Sequence, residues 1–309
     1  MTGLAQSADD YLALRRGLGY KLENVGCLLH SFVAFAESAG ATTVTTELAL
    51  RWASQPPGTS SIWLAHRLSA VRGFACYLQT VDPATEIPAA GLLPAPGYRP
   101  AAPYLYSDAD VATLMAAARH LGPALRAATF EALIGLLAIT GMRIGEAMRL
   151  DRDDIDWDEG LLTVRGSKFG RSRELVCHPT TVEALRSYDA RRDELCPRPA
   201  SASFFVSALG RRLAHHSVYP AFRKLVAEAG LQHASHGRPP RVHDLRHSFA
   251  VNTLISWYRD GVDVQARLPL LSTYMGHVQP ASTFWYLSAS PELIALAAQR
   301  LDDASGAGS

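Results

Sequence analysis

The chain has 309 residues, 48% of them hydrophobic and 19% charged, with a formal net charge of +1 and four cysteines. That size allows two domains with buried cores, and no apolar run reaches the ~18 residues of a membrane span. The first residues carry no basic and apolar leader pattern. The scattered Cys27, Cys76, Cys177 and Cys196 form no Cys-x-x-Cys, which argues against a zinc or disulfide framework and fits a reducing, cytoplasmic compartment.

Residues 1–8 read as a loose tail. A helical period through Val25, Leu28, Leu29, Phe32 and Phe35 predicts helix over 9–39, broken near Gly17–Gly19. Thr45 or Thr46 can cap a short helix that stops before Pro56-Pro57, and Thr59 or Ser60 can start a longer one to about Thr80. The second of these turns Leu64, Leu68, Val71, Ala75 and Leu78 to one side and carries Arg67 and Arg72 on the other. Residues 1–98 are therefore expected to form a helical bundle, with Arg67 and Arg72 as surface cations. Pro83, Pro88, Pro94, Pro96, Pro100 and Pro103 then mark a linker at about 82–104, because proline donates no backbone hydrogen bond.

A second domain is expected over 105–309. Ser107-Asp108-Ala109-Asp110 opens a helix to about His120, and a very apolar helix follows over about 123–140. Thr140-Gly141 ends it, so Arg143 stands at the start of the next short helix, with Glu146 one turn on to hold its guanidinium. Leu161–Arg165 and Glu174–Cys177 read as paired strands joined by Gly-Ser-Lys-Phe-Gly-Arg, which places Lys168 at a hairpin tip beside Arg171 and Arg173. The fold class is mainly α with a small β-sheet (α+β).

Charge is unevenly spread. Asp151–Glu159 holds six acids and one arginine, whereas residues 198–246 hold eight Arg/Lys and two acids. Lysine occurs at Lys21, Lys168 and Lys224 only, in a chain with 30 Lys plus Arg. A mainly helical segment is expected over Arg211–Gly230, where Arg211, Arg212, His215, Arg223 and Lys224 suit a helix lying against a DNA backbone or groove. Arg241 leads into His243-Asp244-Leu245-Arg246-His247, whose three-residue spacing puts His243 and Arg246 on one face of a helix to about Trp257. A polar loop is expected over Arg259–Leu268, then a short helix Leu270–Met275 ended by Gly276, with His277 beyond it and Tyr286 nine residues later. Pro291–Leu301 reads as a final amphipathic helix before a disordered tail, 302–309. Taken singly, each motif has an ordinary structural reading: a surface Arg–Glu pair, a loop lysine, a packed tyrosine.

Taken together, Arg143, Lys168, His243-x-x-Arg246, Gly276-His277 and Tyr286 resemble the tyrosine recombinase (phage integrase) family over about residues 105–300. The resemblance implies a core-binding (SAM-like) bundle and a catalytic domain that together clamp double-stranded DNA, with Arg67, Arg72, Arg171, Arg173, Arg211, Arg212, His215, Arg223, Lys224 and Arg241 as the expected DNA contacts. It implies a site-specific recombinase that cuts and rejoins strands through a 3′-phosphotyrosyl intermediate, in integration, excision or transposition of a mobile element. Tyr286 would be the nucleophile, Arg143 and Arg246 would grip the phosphate, and Lys168 would act as general acid. His243 would assist proton removal and His277 would hydrogen-bond the phosphate. No metal and no nucleotide cofactor are expected. A homotetramer on DNA, joined through the C-terminal helix, is implied, with accessory recombination proteins as further partners and the nucleoid as its place in the cell.

The sequence departs from the compact chromosome-dimer resolvases in a longer interval around Trp257–Arg267, in Met275 and in Trp285. These features lie closer to integrases of transposons. Chromosome or plasmid dimer resolution, a type IB topoisomerase and a regulator without catalysis are the alternatives.

Overall fold

The computed structural model describes residues 3–55, 57–93, 103–166, 172–231, 239–277, 286 and 290–306, with 301–306 described by backbone alone. The chain divides into two compact units, Met1–Pro100 and Ala101–Ser309.

Among the described residues the first unit holds four helices: α1 (Leu4–Gly17), α2 (Glu23–Ser38), α3 (Thr46–Ala53) and α4 (Ser61–Leu78). Polar caps fix two of the starts: the Thr45 hydroxyl accepts from the Leu48 N–H at 3.2 Å and the Ser60 hydroxyl from that of Trp63 at 3.3 Å. Leu12, Leu29, Phe32, Trp52, Val71 and Phe74 form the centre of its core, with the Phe32 and Trp52 rings edge to face at 5.4 Å. Three expectations need correction here. The tail is already helix from Leu4, because Leu4 and Ala8 are buried in this core. Residues 82–93 of the expected linker fold back on the bundle, where Ile87 and Leu93 pack and the Glu86 N–H donates to the Val44 carbonyl at 2.8 Å. Arg67 is not a surface cation: it is 9% exposed, donates to the Trp52 carbonyl at 2.7 Å and lies 3.7 Å over the Trp52 ring.

In the second unit α5 (Asp108–Ala118), opened by a reciprocal Ser107–Asp110 capping box, packs on the apolar α6 (Ala124–Thr140). The chain turns at Gly141 into α7 (Ile144–Arg149), then passes a 3-10 turn, Arg152–Asp154, into the sheet. Strands β1 (Ile155–Asp156), β2 (Leu161–Val164) and β3 (Arg173–Val176) pair antiparallel in that order, with Leu162 opposite Leu175 and Val164 opposite Arg173. Leu162, Val164 and Leu175 point into the core, as strand alternation demands. The pairing starts one residue earlier in β3 than the sequence suggests. Lys168 and Arg171, on the connection between β2 and β3, lie outside the described residues.

Helices α8 (Pro179–Leu195), α9 (His215–Glu228), α10 (Val242–Arg259), α11 (Val264–Met275) and α12 (Pro291–Gly306) follow among the described residues. The expected loop Arg259–Leu268 shrinks to 260–263. Pro269 sits inside α11, and its missing N–H disguised a helix that the Asp263 side chain caps at the Ala266 N–H, 3.1 Å away. Helix α12 continues through residues expected to be disordered, as far as Gly306, and packs on α10 with Leu293 buried. No helix among the described residues is long and apolar enough to cross a membrane.

Candidate active site

Helix α11 ends at Gly276, whose φ of +66° is the left-handed closure that L side chains rarely adopt. A helix end leaves its last carbonyls without intrahelical partners and carries the negative end of the helix dipole. Here three consecutive carbonyls each receive a different arginine. Arg173 Nε donates to Tyr274 O at 2.8 Å, Arg246 Nη2 to Met275 O at 2.6 Å, and Arg143 Nη2 to Gly276 O at 3.0 Å. Residues more than 130 apart in the chain thus meet at one helix terminus, immediately before His277.

Each arginine is held from behind as well. Arg143 is the residue before α7, and Glu146 answers it twice: its carboxylate accepts from the Arg143 backbone N–H at 2.9 Å and from Arg143 Nη1 at 2.9 Å. Glu146 also receives Arg173 in a two-pronged pairing at 3.1 and 2.9 Å. Its side chain is only 2% exposed. Burial pushes its pKa up, but the hydrogen bonds and charge of Arg173 and then Arg143 outweigh this and hold it at about 2. Arg246, projecting from α10, is 2% exposed and donates Nη1 to the Gly141 carbonyl at 2.7 Å, the turn that ends α6. Burial, followed by repulsion from Arg143, brings it down to about 10, so it remains charged at neutral pH.

Around this cationic floor stand aromatic rings. His277 Nε2 lies 2.9 Å from Arg246 Nη2, and its ring stacks on Tyr286 at 5.9 Å between centroids. Tyr286 is 3% exposed and feels the charge of Arg246. Burial raises the Tyr286 pKa, and the charge of Arg246 pulls against that. His247, one turn after His243 on α10, touches both His243 (4.8 Å) and Tyr286 (5.5 Å) through its ring. Desolvation, then the Arg246 charge, lowers the pKa of the outward-facing His243. His277 and His247 are pushed down to about 4, first by burial and then by neighbouring charge. All three imidazoles are therefore neutral at pH 7.

The structure thus brings together Arg143, Glu146, His243, Arg246, His277 and Tyr286. His247 was not among the sequence candidates; its signal was the four-residue spacing from His243. Of the expected DNA contacts, Arg173 is turned inward with 11% of its side chain exposed. Arg212 clasps Asp151 at 2.5 Å and the Met148 carbonyl at 3.2 Å, and Arg241 is occupied by Asp244, both on its N–H and at its guanidinium. Arg72, Arg211, His215, Arg223 and Lys224 are exposed. His215 stacks on Tyr219 beside Gly145 of α7, so the exposed face of α9 adjoins the site. Among the described residues no group of three His, Cys, Asp or Glu could hold a metal ion. The set offers positive charge, hydrogen-bond donors and a phenol: chemistry suited to an anionic tetrahedral or bipyramidal centre.

The Phage integrase family pattern matches residues 105–292. The chain is 43% identical to the integrase/recombinase-named protein y4rB of Sinorhizobium fredii over 310 residues, covering 98% of each chain. It is 35% identical to the tyrosine recombinase XerC of Azotobacter vinelandii over 229 residues, covering 74% of this chain and 70% of that one. Among solved structures, a Tn1549 transposon integrase in complex with a circular intermediate DNA aligns with a TM-score of 0.64 at 15% identity, over 96% of this chain and 99% of that one.

Proposed function

Because the chain belongs to the phage integrase family, the tyrosine recombinases, we propose that the ring of residues around Tyr286 performs its strand transfer. The enzyme is a site-specific DNA recombinase that breaks and rejoins strands through a phosphotyrosyl intermediate. In our reading the Tyr286 oxygen attacks the scissile phosphorus, the bond from phosphorus to the 5′-oxygen breaks, and a 3′-phosphotyrosyl ester forms. The Tyr286 proton passes to neutral His243, with His247 against both rings. Arg143 and Arg246 take the nonbridging oxygens, where charge grows in the transition state. His277 donates a further hydrogen bond, and Lys168 protonates the departing 5′-oxygen. One phosphodiester is exchanged for one phosphotyrosyl ester, so a 5′-hydroxyl from another strand can reverse the step without ATP.

One observation carries this reading: buried Tyr286 stacks on His277, which lies 2.9 Å from Arg246, while Arg143 and Arg246 converge on neighbouring carbonyls of a single helix end. A phosphate placed there would meet both guanidiniums and the phenol at once. The first unit would be the core-binding domain and the second the catalytic domain, gripping duplex DNA with Arg72, Arg211, His215, Arg223 and Lys224. Four copies would act together on two duplexes, with α12, whose Ile294 is exposed, reaching a neighbour. Accessory recombination proteins would complete the assembly. The near full-length likeness to y4rB, a protein named for integration and recombination, supports an integrase reading.

The test uses nicked duplexes from the ends of the protein's own genetic locus. Wild type should give an SDS-resistant protein–DNA adduct and Tyr286→Phe none, with binding intact. An adduct that persists in the Phe variant would displace Tyr286 from the role.

A further inference from the structure

We infer that Arg173 is a positioning residue for this reaction: it fixes Glu146, and through it the Arg143 guanidinium, against the end of α11 without contacting DNA. The inference rests on the proposed role of Arg143. Arg173 makes three directed contacts, two to Glu146 (3.1 and 2.9 Å) and one to the Tyr274 carbonyl (2.8 Å). Those contacts join β3, α7 and α11, the segments that carry or adjoin Arg143 and His277. Its place opposite Val164 adds the base of the β2–β3 hairpin to the same joint. The fit is close. A Cβ at Gly276 would stand 2.8 Å from Arg173 Nη1 and 3.0 Å from its Cζ, so glycine there leaves the room the guanidinium occupies.

The geometry also says why arginine is needed. A planar fork can satisfy both carboxylate oxygens and a carbonyl at once, whereas a lysine ammonium supplies the charge from a single point. Without Arg173, Glu146 loses two of its four donors, and Arg143 loses the anchor that sets its angle. Misplacement of a group in such a site by about 1 Å costs on the order of a hundredfold in rate.

The experiment measures single-turnover cleavage of a nicked duplex at saturating protein, and DNA affinity separately across a salt series, for R173M, R173K, E146Q and the R173M/E146Q pair. Expected are roughly hundredfold slower cleavage for R173M at saturation, an intermediate rate for R173K, affinities close to wild type, and a double variant no slower than its slower parent. Where R173M fails to fold, R173K, with its thermal midpoint checked, decides the matter alone. Wild-type cleavage at saturation by the folded variants would overturn the inference, as would additive losses in the pair. Weakened affinity with a salt slope smaller by about one would also overturn it, by making Arg173 a phosphate contact. If wild type itself gave no Tyr286-dependent adduct, the proposed function would fall and this inference with it. A normal wild-type adduct with an unaffected R173M would remove this inference alone.

Discussion

Arg246 and Met275 are joined by a 2.6 Å hydrogen bond from guanidinium to backbone carbonyl, across 29 residues of chain. The other arm of the same side chain holds Gly141 O at 2.7 Å, so one residue ties the end of α6 to the end of α11. A lysine cannot span two acceptors in this way. Arg246→Ala would leave both buried carbonyls unsatisfied, at a cost of about 1–3 kcal/mol each. We expect Arg246→Lys to fold with a lowered thermal midpoint and to cleave at least about a hundredfold slower, and Arg246→Ala to be the less stable of the two. Thermal melts beside single-turnover cleavage check this; an Arg246→Lys enzyme with wild-type rate would contradict it.

Glu146 makes stability depend on acid. Its folded pKa, about 2, lies below the ordinary carboxylate value. The folded state therefore binds fewer protons than the unfolded chain as pH falls. The stabilisation is complete above about pH 4.5 and is lost as pH drops toward 2, with a size on the order of 3 kcal/mol. Glu146→Gln should be less stable than wild type at pH 7, and the gap should narrow as pH falls below about 4.5 and close only near pH 2. A gap that stayed constant across that range would show that the carboxylate's charge is not what Arg143 and Arg173 hold.

The motifs made the site legible because they mark chemistry by residue type and spacing. Arg143 at a helix start, the His243–Arg246 spacing and His277 after Gly276 all reappear as geometry around Tyr286. What spacing could not show is which way an arginine turns. Arg173 sits beside a hairpin tip in sequence, yet its partner Glu146 lies 27 residues away, and a salt bridge at that separation leaves no local pattern. Arg67 looked like the polar face of an amphipathic helix. Its true partner, Trp52, belongs to another helix, and the cation's long stem packs as an apolar group does. His247 carries no distinctive sequence signal, because a histidine one turn from another is common on any helix. Pro269 hid the first half of α11, since a proline weakens helix prediction more than it weakens a helix held by tertiary packing.

The two kinds of arginine should separate experimentally. Arg72, Arg211 and Arg223 are exposed, and replacing each with alanine should weaken DNA binding and reduce the salt slope by about one while leaving the melting temperature nearly unchanged. Arg67→Ala should do the reverse. It removes a buried hydrogen bond to Trp52 O and a stacked cation, so the first unit should lose about 1–3 kcal/mol with little direct change in salt dependence. Salt-series binding and thermal melts on the same variants give the answer. A normal melt with a reduced salt slope for Arg67→Ala would place that side chain on DNA.

Gly276 offers a backbone test of the same terminus. Its φ of +66° and the nearness of Arg173 both oppose any larger residue. Gly276→Ala should cost about 1–2 kcal/mol from the left-handed backbone alone. The displaced Arg173 would add a loss of cleavage. Binding of DNA in low salt should survive, because the exposed cations of α9 are untouched. Wild-type cleavage by Gly276→Ala would mean that the helix end tolerates movement and that the arginine contacts do not fix it.

The histidines predict a proton linkage to DNA. His277 has a folded pKa of about 4 because burial and then the Arg246 charge disfavour its protonated form. A free imidazole titrates near 6.5, so the folded protein binds fewer protons than the unfolded chain between these values, and stability falls as pH drops from about 6.5 toward 4. A phosphate seated on Arg143 and Arg246 would bring negative charge beside His277 and raise its pKa again. The complex should then take up protons near pH 6, and affinity should strengthen as pH falls from 7.5 to 6. Titration calorimetry in buffers of different ionisation enthalpy measures that uptake directly. His277→Gln should remove part of it, the remainder belonging to His243 and His247, which face the same charges. Proton uptake that is absent in wild type, or unchanged in His277→Gln, would mean that the bound phosphate does not come to rest beside this ring.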